Sequence, residues 1–331
     1  MKRKLLLGAN FVIGVGILSY ILYRHGGSAF ALLTKGFSVG FLFAFLGAAT
    51  VTLLCLSWRW RSLLEVLARS PSLGVMALYR SAAHSFATLI PSGRLGGDPL
   101  RVWLAVRGKV AAGSAIASVA VDRTLEVAST APFSLAFAAI LLQQGVPRVA
   151  EVMVTVSVAT LGLLLGIVIA VRRLRRGAGL VTALARNTKL DRLNFVNAQM
   201  HVLEDAERGA TRLVEEPVRL GMGFGLGIVS NLLVVAEFAF LLVAFGLPSD
   251  PVAIVAAVFA TGAAHMLPVP GGIGVLEGAQ VWIFTMLGYP ADIGLAVGLA
   301  VRFRELLWMV PGLGYLVFLW FRSGLFRVRN A

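Results

Sequence analysis

Leu267-Pro268-Val269-Pro270-Gly271-Gly272-Ile273-Gly274-Val275-Leu276-Glu277 cannot be the interior of a simple helix, because two prolines and three glycines fall within it. Proline lacks a backbone donor and glycine lets the chain turn sharply, so the stretch reads as a tight turn between two short helices. An earlier stretch, Pro91-Ser92-Gly93-Arg94-Leu95-Gly96-Gly97-Asp98-Pro99-Leu100-Arg101, has the same character. Sliding the chain against itself by 179 residues aligns the two without a gap. Pro91 falls on Pro270, Gly93 on Gly272, Trp103 on Trp282, Arg123 on Arg302, Glu126 on Glu305 and Pro132 on Pro311. Val102, Ala112 and Ala117 bring the identities to nine, and Asp98 falls on Glu277 with its charge kept. Chance matches in an apolar chain fall mostly on Ala, Val and Leu; these include Trp, Pro, Arg and Glu, so an internal duplication is expected.

The surroundings of both turns are apolar. Of 331 residues, 58% are hydrophobic and 14% charged, against about 25% charged in soluble chains. Apolar runs at residues 5–23, 37–56, 111–142, 149–171, 220–245 and 293–321 approach or exceed the roughly 20 residues that cross a bilayer. The segments at 73–107 and 252–287, which hold the two turns, are too broken to cross simply. The expected fold is therefore an all-α polytopic membrane protein with about six transmembrane helices and two re-entrant helical hairpins. Residues 1–331 form one membrane domain, with repeat one at 37–142, a cytoplasmic amphipathic connector at 172–219 and repeat two at 220–321. The start, Met1-Lys2-Arg3-Lys4 before an apolar stretch, imitates a secretory signal, but the stretch is long enough to be an uncleaved first span.

The net charge of +14 would suit nucleic acid if it formed a patch. It is instead distributed beside the apolar runs, where Lys and Arg set topology, and no nucleic-acid partner is expected. With the N-terminus cytoplasmic, Arg24, Lys35 and Arg148 fall outside, and Arg123, Arg302 and Arg304 fall within spans. The rest of the 30 Lys and Arg residues collect on the cytoplasmic side. The C-terminus is then cytoplasmic too, and the span at 37–56 runs inward while that at 220–245 runs outward. An inverted repeat with interrupted helices is a common secondary-transporter plan.

Candidate site residues follow from the repeat. Asp98 and Glu277 would open the second helix of each hairpin, where the helix dipole favours a carboxylate; a capping role alone is the simpler reading. Arg123 with Glu126, and Arg302 with Glu305, lie three apart and share a helix face, either as self-satisfied ion pairs or as exchangeable ligands. Arg94 and Arg101 complete a cationic set. Asp122 and Arg304 have no counterpart in the repeat, and Glu237 is read as an acid joined to Asn231 within the bundle, with a proton site as the alternative. His84 and His265 each follow two alanines just before a turn, but their spacing offers no metal site, so neither metal nor cofactor is expected. Cys55 is the single cysteine and reads as packing.

The turn ending in Gly96-Gly97-Asp98-Pro99-Leu100-Arg101, then Val121-Asp122-Arg123, the Pro270-Gly271-Gly272-Ile273-Gly274-Val275-Leu276-Glu277 turn, and Arg302 together resemble one family. It is the lysylphosphatidylglycerol synthase transmembrane, or flippase-like, family: the lipid-flippase half of MprF and the YbhN-type stand-alone members. The Asp122-Arg123-Thr124-Leu125-Glu126 segment is similar to the hopanoid-associated subgroup. Asp98 stands where the family pattern leads one to expect Glu. No transferase domain follows the spans, so the resemblance implies lipid translocation across the bacterial inner membrane rather than lipid lysylation. Membrane lipids are the expected partners, with an anionic or zwitterionic head group between the hairpins. The rival readings are a small-molecule or ion secondary transporter on the same scaffold and an integral-membrane lipid-modifying enzyme.

Overall fold

The computed structural model describes residues 2–90, 96–143, 147–176, 199–267 and 269–322. Among these every regular element is helical: α1 (Lys2–Lys35), α2 (Val39–Leu67), α3 (Leu73–Leu89), α4 (Gly97–Arg107), α5 (Ala112–Gln143), α6 (Pro147–Arg175), α7 (Met200–Val214), α8 (Pro217–Ala244), α9 (Pro251–Met266), a 3₁₀ turn (Pro270–Gly272), α10 (Val275–Met286) and α11 (Ala291–Arg322). Three of them, α2, α5 and α8, are long and apolar enough to cross a membrane. Large side chains such as Tyr20, Phe43, Leu161, Leu232 and Val310 are exposed on the long helices. An apolar exterior of this kind suits lipid rather than water, and the architecture is that of an all-α, multi-pass membrane protein.

Local chemistry sets several helix ends. Asp250 caps α9 by accepting from the Val252 and Ala253 N–H groups (3.0 and 3.1 Å), with Pro251 in the first turn. Gly274, at φ +76°, delivers the chain into α10, a conformation that costs a side-chain-bearing residue about 1–2 kcal/mol. α3, α4, α9 and α10 have 17, 11, 16 and 12 residues, each short of the roughly 20 a span needs.

Two expected boundaries are corrected. The first helix does not stop near residue 23 but continues to Lys35. His25 bonds to Asp292 on α11 and Ala29 is fully buried, and these tertiary contacts carry the helix past Gly26-Gly27. α2 likewise continues past residue 56 to Leu67, because its last turns bury Arg59, Trp60, Ser62, Leu63 and Leu64.

α2 and α8 lie side by side and antiparallel. The Ser38 N–H donates to the Ala244 carbonyl at one end (2.7 Å), Thr52 meets Glu237 midway, and Glu65 approaches Arg219 at the other end (4.0 Å). α3 packs on α11 so closely that Gly312 rests on the Ser81 backbone. Ser81 and Ser85 hydroxyls donate to the Trp308 and Met309 carbonyls (3.2 and 2.9 Å), just before Pro311, whose missing N–H loosens the helix ladder. The 3₁₀ turn also touches α3, so the two broken segments meet. The main apolar core gathers α8–α11, and a second gathers α2–α5 around Trp60, Met76 and Leu104.

Of the connector, α7 is an amphipathic helix that docks on α5, with Ala206, Gly209 and Leu213 buried and Gly209 facing Ala117. Residues 177–198 of the connector lie outside the described residues, as does Arg94.

Candidate functional site

Among the described residues, four guanidinium groups converge on three carboxylates where α2, α3, α4 and α5 meet. Asp122, fully buried on α5, accepts from Arg59 Nε (2.7 Å), Arg80 Nη1 (3.0 Å) and Arg101 Nη2 (2.6 Å). One turn later Glu126 accepts from Arg123 Nη1 (2.8 Å), Arg80 Nη2 (3.1 Å) and Arg59 Nη2 (3.4 Å). Asp98, in the first turn of α4, pairs with Arg101 (3.3 Å) and lies 3.9 Å from Arg123. A buried ion carries a penalty of several kcal/mol that only close partners offset, so this shared lattice is what permits so many charges at once. It leaves one positive charge in excess. Arg59 Nη1 and Arg101 Nε, both buried, have no hydrogen-bond acceptor among the described residues. Arg101 also stacks on Trp60, 4.2 Å from the ring centre.

The second cluster is smaller and closes on a turn. Arg302 on α11 donates from Nε and Nη2 to Glu277 Oε1 (2.9 and 2.8 Å), from Nη1 to the Gly271 carbonyl (2.5 Å) and to Glu305 (3.3 Å), and from Nη2 to the Gly272 carbonyl (3.2 Å). The other oxygen of Glu277 accepts from the Gly274 N–H (2.9 Å). Glu277 is therefore both a cap and an ion-pair partner. The Arg302 side chain fastens the turn, whose tight backbone (Gly271 at φ +63°, Gly272 at φ +59°) leaves those carbonyls pointing at it. His265 on α9 stands 2.6 Å from Glu305.

A third pair lies within the second half and reaches the first through Thr52 on α2. Glu237 on α8 accepts both Nε and Nη2 of Arg304 (2.9 and 2.7 Å) and the Thr52 hydroxyl (2.6 Å). This corrects the expected Glu237–Asn231 contact: Asn231 instead donates to the Gly227 carbonyl and accepts from Thr130 (2.9 and 3.3 Å). A carboxylate mid-helix is better matched by a bidentate guanidinium than by an amide, because charge-assisted bonds are roughly twice as strong.

Between the first cluster and Arg304 lies a cavity of about 330 Å³ whose polar wall includes Arg59, Arg80, His84, Glu126, Asn231 and Arg304. Room for it depends on Gly227, where a β-carbon would strike Ser129 and sit 3.3 Å from Arg59 Nη1. A second cavity of about 190 Å³, walled mainly by apolar groups such as Phe133, Phe137, Val258 and Phe259, adjoins it. Thr130, Asn231 and Val234 line both. A smaller one of about 120 Å³ lies against Asp98, Arg101 and Arg123.

Of the residues expected from sequence, Asp98, Arg101, Arg123 and Glu126 come together in one cluster, and His265, Glu277, Arg302 and Glu305 in the other. Among the described residues of the expected set, Glu126 and His84 line the 330 Å³ polar cavity, and His84 packs there against Trp308. Arg59 and Arg80 were missed. In Trp58-Arg59-Trp60-Arg61 a single Arg at the end of an apolar run reads as a topology signal, and nothing local marks it as buried. Asp122 and Arg304 stood out in sequence only as charges lacking a repeat partner; each proves to be the hub of a buried network.

No curated protein and no solved structure matches the chain. A family match does exist, to the Lysylphosphatidylglycerol synthase TM region, and it spans residues 7–314, including both clusters and the cavities described above. The protein belongs to the Lysylphosphatidylglycerol synthase TM region family.

Proposed function

We propose that this protein moves a lipid across the bacterial inner membrane, holding an anionic or zwitterionic head group in the polar cavity and releasing the lipid chemically unchanged. The observation that carries the proposal is the junction of an arginine-walled cavity with an apolar slot through Thr130, Asn231 and Val234. That pairing of polar chamber and apolar exit suits an amphiphile, whereas a soluble solute calls for a closed polar site. At about 330 Å³ the chamber is at the small end of ligand pockets, roughly 300–1,000 Å³, which favours a compact head group over an oligosaccharide. The buried Arg59 Nη1 is a donor that a head-group oxygen would satisfy.

In this reading α1, α2, α5, α6, α8 and α11 span the bilayer, with both termini cytoplasmic. The α3–α4 and α9–α10 pairs are re-entrant hairpins of two inverted repeats. The antiparallel course of α2 and α8 and the shortness of the hairpin helices support that arrangement. The test is transport of fluorescent phospholipids in liposomes containing the purified protein. We expect movement above protein-free vesicles, slowed at least ten-fold by Arg80→Gln, with the lipid recovered intact. No movement of any lipid would overturn the proposal. A modified lipid would favour the enzyme reading, and uptake of a soluble solute the small-molecule transporter.

A further inference from the structure

What the polar cavity offers a head group follows from the hydrogens its wall has already spent. Arg59 is fully buried, and its Nη1 has no acceptor among the described residues. That nitrogen stands at the cavity side of Gly227, 3.3 Å from where a β-carbon would be. A guanidinium nitrogen only donates, so the partner it lacks is an acceptor, and a phosphate oxygen gives the strong, charge-assisted form of the bond. The hydroxyls of the wall are the reverse. Ser129 and Thr130 donate to the Glu126 carbonyl (3.0 and 2.8 Å), Ser230 to the Leu226 carbonyl (2.7 Å) and Thr52 to Glu237 (2.6 Å). A hydroxyl has one hydrogen and two lone pairs, so these four groups offer a ligand acceptor oxygens only.

An amine could also use such oxygens, but the charges around the cavity oppose it. Among the described residues, Arg59, Arg80, Arg101, Arg123 and Arg304 stand against Asp98, Asp122, Glu126 and Glu237, with one cation in excess. Away from bulk water a further cation is strongly repelled by that surplus. Glu126 is the carboxylate on the wall. Both of its oxygens are occupied, Oε1 by Arg123 and Oε2 by Arg80 and Arg59. A quaternary ammonium calls for open aromatic faces. The indole on this wall, Trp308, already has Arg304 5.9 Å and the His84 ring 5.8 Å from its centre.

We infer that the cavity selects one class of lipid: an anionic phosphodiester whose head-group alcohol is hydroxylated and uncharged. The phosphate satisfies the Arg59 donor and offsets the surplus cation, and the alcohol's hydroxyls donate to the serine and threonine oxygens. A head group bearing an ammonium, whether zwitterionic or lysylated, brings a cation to a wall that already has one in excess. This selection rests on the lipid reading above and narrows it.

Two measurements test this. In liposomes holding the purified protein, acyl-labelled phosphatidylglycerol, phosphatidylethanolamine and lysylphosphatidylglycerol are compared one at a time. We expect phosphatidylglycerol to move at least ten-fold faster than phosphatidylethanolamine, with the lysylated lipid slowest. Asn231→Asp, a near-isosteric change that puts a carboxylate on the wall, should narrow the first ratio several-fold. Equal rates, or a faster amine-bearing lipid, would overturn the selection while the lipid reading stands. An unchanged ratio in Asn231→Asp would overturn its electrostatic basis; should that variant fail to fold, the three rates of the natural protein decide. The second measurement is the thermal-unfolding midpoint in detergent with short-chain phosphatidylglycerol, short-chain phosphatidylethanolamine or glycerol phosphate, because a ligand that binds the folded state raises it. We expect a rise of several degrees with the first, at a concentration where the other two give none. An equal rise with phosphatidylethanolamine would overturn the selection, and an equal rise with glycerol phosphate would overturn it in favour of a soluble anion. A rise with phosphatidylglycerol alone, and no lipid moved in liposomes, would keep the selective site and remove the translocation reading.

Discussion

The two charged clusters are built on the same pair of residues and end up in different electrostatic states. Arg123 with Glu126, and Arg302 with Glu305, occupy positions 179 apart on α5 and α11. Around the first pair stand Arg59, Arg80, Arg101 and Asp122; at the same offset around the second stand Phe238, Phe259, Gln280 and Val301. The first cluster is thus a lattice of ions with a surplus positive charge on a cavity. In the second, Arg302 is tied to backbone carbonyls and two glutamates. The shared pair ties a long helix to shorter elements at both places, and the residues around it decide which of the two borders the polar cavity.

Removing the hub of the ionic half should have the largest effect. Asp122→Asn leaves three guanidinium groups without their shared anion, a loss of about 3–5 kcal/mol. It should appear as a steep drop in the thermal-unfolding midpoint in detergent. Glu277→Gln should cost only about 1–3 kcal/mol, because Arg302 keeps Glu305 and two carbonyls. Equal losses for the two would break the contrast.

Position 101 and its counterpart 280 provide the next test. Arg101→Gln removes one of three charged donors to Asp122 and should cost about 1.5–3 kcal/mol. Gln280 is fully buried and donates to the Ala257 carbonyl and the Thr261 hydroxyl, both at 2.9 Å. Gln280→Arg would place a cation among neutral acceptors, so we expect poor recovery of monodisperse protein. A well-behaved Gln280→Arg would show that the second half tolerates the chemistry of the first.

A smaller effect is expected at the fastened turn. Gly271, at φ +63°, should lose about 1–2 kcal/mol as Gly271→Ala, with lipid movement altered because the carbonyl that Arg302 holds is displaced. Unchanged stability and transport together would separate the turn from lipid movement. Smallest of all, Asn231→Ala removes bonds to Gly227 and Thr130 at the edge of the polar cavity, for no more than about 1 kcal/mol. Its main readout is lipid selectivity. A loss of stability comparable to Asp122→Asn would mean that the cavity wall carries the fold.

Much of this architecture was legible in the linear chain, for a physical reason. Hydrophobic runs, prolines and glycines act locally, so the all-α class, the broken segments at 73–107 and 252–287, and the Arg–Glu spacing on α5 and α11 could all be read from it. The family likewise followed from short motifs. What could not be read was which charges are buried and with whom. Arg59, Arg80, Asp122 and Arg304 lie on four different helices, and the bonds Arg59–Asp122 and Arg304–Glu237 span 63 and 67 residues. Local sequence carries no record of such meetings, because a buried ion pair is defined by the approach of helices remote in the chain. Composition and periodicity determined that this protein is a bundle of membrane helices with two broken segments along its chain. Only tertiary packing decided that Glu237 answers Arg304, that His265 stands against Glu305, and that a polar chamber opens onto an apolar slot.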